Sequence, residues 1–294
     1  GHRIGVTATT GTSGPAATAT RLDELWTNRG PVVMGIVNCT PDSFSDGGRF
    51  LTAGQAVGEG QRHLGAGARI IDIGGESTRP GADPVDADEE CRRVVPVIRE
   101  LRSHHPTAVI SVDTTKIGVA GQALDAGADI VNDVSAAAEN GMLELVADRG
   151  AAIVLMHRRG TPQTMQRDTH YDDAVAEVHC YLRERATAAI AAGIPSHRVW
   201  LDPGIGFGKD DDGNLALLAA LPELVSAGHP VVVGPSRKSF IGRLTGAPVD
   251  GRLGGTLAAL IPCIGLDHVA VRVHNPGPAV QFLAMARLIS ESAA

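Results

Sequence analysis

Eight short runs of apolar, largely β-branched residues recur along the chain, each closed by Gly, Pro or a polar side chain. They fall at 32–37, 69–73, 108–113, 129–132, 151–156, 198–201, 230–234 and 268–273. Continuous apolar runs of this length are what strands buried on both faces of a parallel sheet require. Between them lie Ala- and Leu-rich segments with helical period: Ala53–Leu64, Asp88–Arg102, Lys116–Ala126, Gly141–Asp148, Asp172–Ala192, Asn214–Ser226, Leu253–Ile264, and a last one from Pro278 to about Ser290. Gly65, Gly127 and Gly193 stand where helices commonly stop. Eight β-then-α units in about 260 residues predict an α/β fold, a single (β/α)8 TIM barrel over residues 31–294. A doubly wound open sheet is the competing architecture, but it more often has fewer strands, and no linker rich in Pro, Ser or charge divides the chain.

The strand ends are polar. Asp72, Asp113, Asn132, Asp133, His157, Asp202 and His274 each close an apolar run, and the carboxyl ends of the strands are where a parallel barrel builds its site. The most distinctive segment is Asp202-Pro203-Gly204-Ile205-Gly206-Phe207-Gly208-Lys209. It lacks the spacing of a P-loop, Asp210 follows the lysine where Ser or Thr is needed, and G-x-G-x-x-G is absent. Its glycines are better suited to a tight turn that lets a flat ligand approach the backbone.

Composition narrows the classes. Hydrophobic residues make up 43% and aromatics 3%, so Val, Ile, Leu and Ala must fill the core. A net charge of −7 with no basic stripe argues against nucleic-acid binding. No run approaches the roughly 18 apolar residues of a membrane span. Cys39, Cys91, Cys180 and Cys263 have neither disulfide nor zinc spacing. Residues 1–30 open with a Thr/Ala/Gly-rich stretch that reads as a disordered extension or tag remnant. It has no apolar h-region, which disfavours a secretory signal and leaves the cytoplasm as the expected compartment.

Several connections carry candidate chemistry. The loop Asn38-Cys39-Thr40-Pro41-Asp42-Ser43-Phe44-Ser45-Asp46-Gly47-Gly48 after the first strand suits either a weakly held Mg²⁺ on Asn38 or a plain Asx-type turn. Gly75-Glu76-Ser77-Thr78-Arg79-Pro80-Gly81, Ser236-Arg237-Lys238-Ser239 and Arg272-Val273-His274 bring cations and hydroxyls to one rim, where barrels often bind phosphate. Asp113, Asn132 and Asp202 offer carboxylates and an amide to the edge of a heterocycle, or else orient neighbouring loops. No Ser-His-Asp order is present, and nothing near Cys39 in sequence activates it.

These stretches, in this order from about Val33 to Leu288, resemble the dihydropteroate synthases of the pterin-binding barrel superfamily. The resemblance implies condensation of 6-hydroxymethyl-7,8-dihydropterin diphosphate with para-aminobenzoate to give 7,8-dihydropteroate and diphosphate by a dissociative substitution. Carried onto this chain, it implies a pterin site of Asp113, Asn132, Met156, Asp202, Phe207, Gly234 and Lys238. It implies Mg²⁺ on Asn38, with diphosphate received by Asn38, Thr78, Arg79, Arg272, Val273 and His274. It gives an aminobenzoate pocket of Phe44, Thr78, Arg79, Pro80, Lys238 and Ser239, where sulfonamides compete. Asp113, Lys238, Arg272 and His274 would be catalytic, and a homodimer is expected. The chain departs from the family pattern at Ala136-Ala137-Ala138, where glycines are usual, at Asn275, where an acid usually follows the histidine, and at Pro235. The alternatives are a catalytically inactive pterin-binding paralogue and a methyltetrahydrofolate:corrinoid methyltransferase, which would have no use for the anion contacts.

Overall fold

The apolar runs close on one another. The computed structural model describes residues 13–40 and 53–293. Its strands are β1 Val32–Asn38, β2 Ile70–Gly74, β3 Val109–Asp113, β4 Ile130–Asp133, β5 Ala152–Met156, β6 Val199–Asp202, β7 Val231–Val233 and β8 Val269–Val273. They pair in sequence order and all in parallel, and β1 meets β8 with Val33 opposite Val271 to close the barrel. The helices are α1 Pro15–Leu25, α2 Ala53–Gly65, α3 Ala87–His104, α4 Ile117–Asp125, α5 Met142–Arg149, α6 Ala174–Ala191, α7 Asp211–Ala219, α8 Leu221–Val225, α9 Ser239–Thr245, α10 Leu253–Ala258 and α11 Pro276–Ser292. The expected (β/α)8 barrel is therefore the observed fold.

Alternation along each strand divides the core in two. Outward residues such as Ile71, Ile73, Val112, Ile153 and Leu155 pack with Val94, Ile98 and Leu182 from the helices. Inward residues Met34, Ile70, Val109, Ile130, Val154, Trp200, Val232 and Ala270 fill the barrel's lower half. Higher on the same inward rows stand Asp72, Ser111, Asp113, Asn132 and Asp202, all buried. The barrel is thus dry and apolar below, polar above.

Where sequence and structure differ, the cause is local. Residues 15–25 belong to the stretch whose composition reads as disordered, yet they form α1, whose Leu22 and Leu25 plug the lower mouth of the barrel. Arg21 and Thr18 of α1 bond the buried carboxylate of Asp129. Tertiary contacts thus supply the order that its propensity lacks. The helix expected over Asn214–Ser226 is two, α7 and α8, because Pro222 in the first turn of α8 cannot continue a preceding helix. Likewise Pro262 leaves only a 3₁₀ turn, Ile261–Cys263, after α10. Ala136 and Ala137, in place of the usual glycines, hold φ of 55° and 59°. Both left-handed residues are buried, and their carbonyls accept from Arg185 at 2.9 and 3.1 Å. Their strain, about 1–2 kcal/mol each, is carried by the surrounding fold.

Candidate active site

Register brings the expected heterocycle contacts together inside the upper barrel. Asp113 stands opposite Asn132, and Met156 opposite Asp202. At the centre lies a charged network. Arg272 donates from Nε to Asp72 Oδ2 at 2.6 Å and from Nη2 to Asp113 Oδ2 at 3.1 Å. Asn132 Nδ2 donates to the same Asp72 oxygen at 3.1 Å. Burial pushes the Asp113 carboxyl up to about 8, against the pull of Arg272. Asp72 Oδ1 and Asn132 Oδ1 are buried acceptors without a partner among the described residues. Leaving such atoms unsatisfied costs about 1–3 kcal/mol apiece, which ligand N–H groups would recover.

Asp202 lies across the same space. Its Oδ1 accepts from the Gly204 amide at 2.7 Å, and burial raises its carboxyl above the usual range despite that bond and the Lys238 and Arg272 charges. Lys238 donates to the Ile205 carbonyl and sits 4.6 Å from the centre of the Phe207 ring. Burial draws its ammonium down to about 7. Phe207 and Met156 belong to one apolar cluster with Val134 and Met165, a flat wall beside the polar edge. Gly234 faces Arg272, whose Cβ lies 3.6 Å from where a side chain would begin.

Lys209, read from sequence only as part of a failed nucleotide motif, is a structural clamp. It is fully buried, and its Nζ lies 2.9 Å from the Gly204 carbonyl, 3.0 Å from that of Phe207 and 3.0 Å from His157 Nδ1. The β6 loop is thereby tied to the end of β5. Gly204, at φ +70°, admits no alternative, since a Cβ there would stand 1.8 Å from the His157 carbonyl oxygen. His157 is therefore absorbed into the scaffold, and burial beside Lys209 drops its imidazole to about 3.

The anion side is built by the ends of β2, β7 and β8. His274 Nδ1 lies 2.8 Å from Ser236 Oγ, which also accepts from the His274 amide at 3.1 Å. Burial, then the nearby Arg272, Arg237, Arg79 and Lys238, lowers the imidazole to about 3, so it is neutral. The serine hydroxyl thus holds both the ring and the backbone of His274. Asn275, standing where an acid is usual, instead accepts from Arg237 at 2.7 Å, while Ser236 contacts the His274 ring. The β7 loop is fixed from α10, where Thr256 Oγ1 accepts from the Arg237 amide at 3.0 Å. Ser236→Ala is expected to weaken anion binding at these strand ends about tenfold, the worth of one hydrogen bond to a positioning group, which titration with inorganic diphosphate would read directly.

Thr78 is half buried, whereas Arg79, Pro80 and Ser239 are exposed at the rim. Behind them Lys116 Nζ bonds Glu76 at 3.0 Å and Glu90 at 2.6 Å, while Glu76 accepts from the Val85 amide at 2.6 Å, which pins both ends of that loop. Ser239 accepts from Arg243 at 3.0 Å. Asn38 ends β1 and is half buried. Phe44 lies outside the described residues. Asp72, Lys209, Ser236 and Thr256 build the site without an individual role in the sequence reading. The strand-end position of Asp72 was the available signal, but its partner Arg272 lies 200 positions away.

Fold and site together define a parallel (β/α)8 barrel whose buried strand-end carboxylates and amide lie beneath a rim of cationic side chains. The model of the family "Pterin binding enzyme" matches residues 34–274. The dihydropteroate synthase of Synechocystis sp. is 47% identical over 245 residues, 83% of this chain and 84% of that protein. The structure of Xanthomonas albilineans dihydropteroate synthase with 4-aminobenzoic acid is 46% identical, covers 88% of this chain and 93% of its own, and superposes with a TM-score of 0.82. That of the Yersinia pestis enzyme in complex with a sulfonamide drug is 41% identical, covers 89% and 95%, and gives a TM-score of 0.84. The chain belongs to the pterin-binding enzyme family and, within it, to the dihydropteroate synthases.

Proposed function

We propose that the chain condenses 6-hydroxymethyl-7,8-dihydropterin diphosphate with para-aminobenzoate, releasing diphosphate and 7,8-dihydropteroate. The observation that carries this reading is the meeting of Asp113, Asn132 and Asp202 in one buried ring, with cations at its upper edge. The N–H groups of the pyrimidine edge suit the Asp202 carboxylate and the unpartnered Asn132 Oδ1. Lys238 can donate to the ring's oxo group, and Met156, Phe207 and Gly234 leave a flat slot. Diphosphate would be received by His274, Thr78 and Arg79, at the Arg272-Val273-His274 strand end.

In this reading the bond between the exocyclic methylene and the diphosphate oxygen breaks first, and its electron pair leaves with the diphosphate. Positive charge spreads into the dihydropterin ring beside Asp113. The arylamine nitrogen then bonds to the methylene and loses a proton. A carboxylate held next to the developing cation lowers that barrier electrostatically, so no strong base or nucleophile is needed. The second substrate would lie between Pro80, Ser239 and the Phe44 loop, where a sulfonamide would compete.

Asn38 offers a single neutral carbonyl oxygen, and among the described residues no three His, Cys, Asp or Glu side chains cluster to hold a metal. That donor set fits a hydrated Mg²⁺ that arrives with the diphosphate and would neutralise charge on the leaving group. No described helix is long and apolar enough to cross a membrane; we propose a cytoplasmic homodimer. Of the alternatives, the methyltransferase leaves the anion contacts without a purpose, and the His274 ring keeps a partner in Ser236 despite Asn275, which weighs against an inactive paralogue.

Diphosphate release should require dihydropterin diphosphate, Mg²⁺ and para-aminobenzoate together, and sulfamethoxazole should suppress it. Tight pterin binding without any turnover would overturn the synthase reading.

A further inference from the structure

On the face opposite the strand ends, a cavity of about 620 Å³ opens between α1 and the starts of β6, β7 and β8. Its volume lies within the roughly 300–1,000 Å³ of sites that take small organic molecules. Trp26 and Trp200 form one wall, with ring centroids 5.2 Å apart and planes at 57°. His268 lies 5.4 Å from Trp26, and His197, Arg198 and His229 complete the polar side. The lower face of a barrel ordinarily serves stability alone, but three observations here go beyond that.

Arg198 donates from Nη1 to the Gly150 carbonyl at 2.6 Å, while its Nε is buried without a partner among the described residues. The Arg198 side chain lines the cavity, and a guanidinium there favours an anionic partner, for which a carboxylate is the strongest match. His268 holds φ +59°, a conformation unusual for a non-glycine residue, with its ring against the indole. His229 Nδ1 lies 3.1 Å from the carbonyls of both Ser196 and Val199. Because those oxygens only accept, Nδ1 carries a proton. Asp23 is the one acid among the described lining residues.

We propose that this cavity is a second ligand site, which takes a small planar aromatic carboxylate with its ring against Trp26 and Trp200 and its carboxylate at Arg198. It is separated from the pterin site by the apolar lower half of the barrel, and neither site needs the other.

The chain contains two tryptophans, and both line this cavity, so intrinsic fluorescence reads it selectively. Titration of the full chain with benzoate should give a saturable change with a dissociation constant on the order of 1 mM, as ordinary ligand efficiency for so small a molecule implies. Benzamide, isosteric but uncharged, should bind about tenfold more weakly. Arg198→Met should remove that preference. Val225→Phe, which puts a ring into the cavity and leaves Arg198 and its Gly150 bond in place, should weaken the response while diphosphate release continues at the wild-type rate. Asp113→Asn should leave the titration unchanged. The proposal is overturned if benzoate gives no saturable change, if benzamide titrates identically, or if Val225→Phe titrates as the wild type does.

Discussion

Replacement of Asp113 by Asn is expected to cut turnover by about 10²–10³-fold, the usual cost of removing one group aimed at charge that develops in a transition state. The substitution keeps shape and hydrogen-bonding reach, and Arg272 keeps its 2.6 Å bond to Asp72, so the site should stay assembled. What disappears is the negative charge beside the incipient pterin cation. Because that charge is felt mainly in the transition state, the loss should fall on kcat more than on KM. The pH profile gives an independent readout. Burial raises the Asp113 carboxyl to about 8, and only its ionised form stabilises a cation. Activity of the wild-type chain should therefore rise as pH increases through about 8 and fall as the carboxyl takes up its proton below that. The Asn variant should lack this limb. A variant with wild-type kcat and the same alkaline rise would remove Asp113 from the chemistry.

The same residue shows how far sequence alone reaches. Asp113, Asn132 and Asp202 were legible because each closes an apolar run, and a parallel barrel sends every run's carboxyl end to one rim. Spacing along the chain thus became proximity in space without any knowledge of contacts. What stayed hidden depends on pairs that only the closed barrel creates. Asp72 is as visible a strand-end acid as Asp113, yet its role follows from Arg272, 200 positions away and two strands around the closure through β1. Lys209 stood in the sequence only inside a segment whose spacing excludes a nucleotide motif; in the structure the preceding glycines turn the chain so that its ammonium faces backbone carbonyls. Ser236 gained meaning only when His274 came within 2.8 Å. Helix α1 escaped for the opposite reason. Its composition is bland and its pattern weakly amphipathic, so what orders it lies in Asp129 and the open lower mouth of the barrel, not in its own residues.

That dependence on Asp129 makes the largest stability effect expected for this chain. Asp129 is fully buried. Its Oδ1 accepts from Arg21 Nε at 2.9 Å, Arg21 Nη2 at 2.7 Å and Thr18 Oγ1 at 3.1 Å, and its Oδ2 from Arg102 Nη2 at 2.6 Å and the Ile110 amide at 3.0 Å. Both guanidiniums are buried, and Arg102 also donates to the carbonyls of Gly127, His105, Pro106 and Ala108. One carboxylate therefore offsets two interior cations and ties α1, α3 and β3 to the start of β4. Asp129→Ala would leave both arginines buried without it, at a cost of about 3–5 kcal/mol, a large fraction of the roughly 5–15 kcal/mol that holds a domain together. Arg21→Met should cost less, because Arg102 retains its pair. Its effect should be concentrated on α1, seen as faster proteolytic cleavage within residues 15–25 at an almost unchanged denaturation midpoint for the barrel. Urea unfolding of the two variants separates these cases. If Asp129→Ala costs no more than Arg21→Met, the lower mouth is held by the packing of Leu22 and Leu25 and not by this carboxylate.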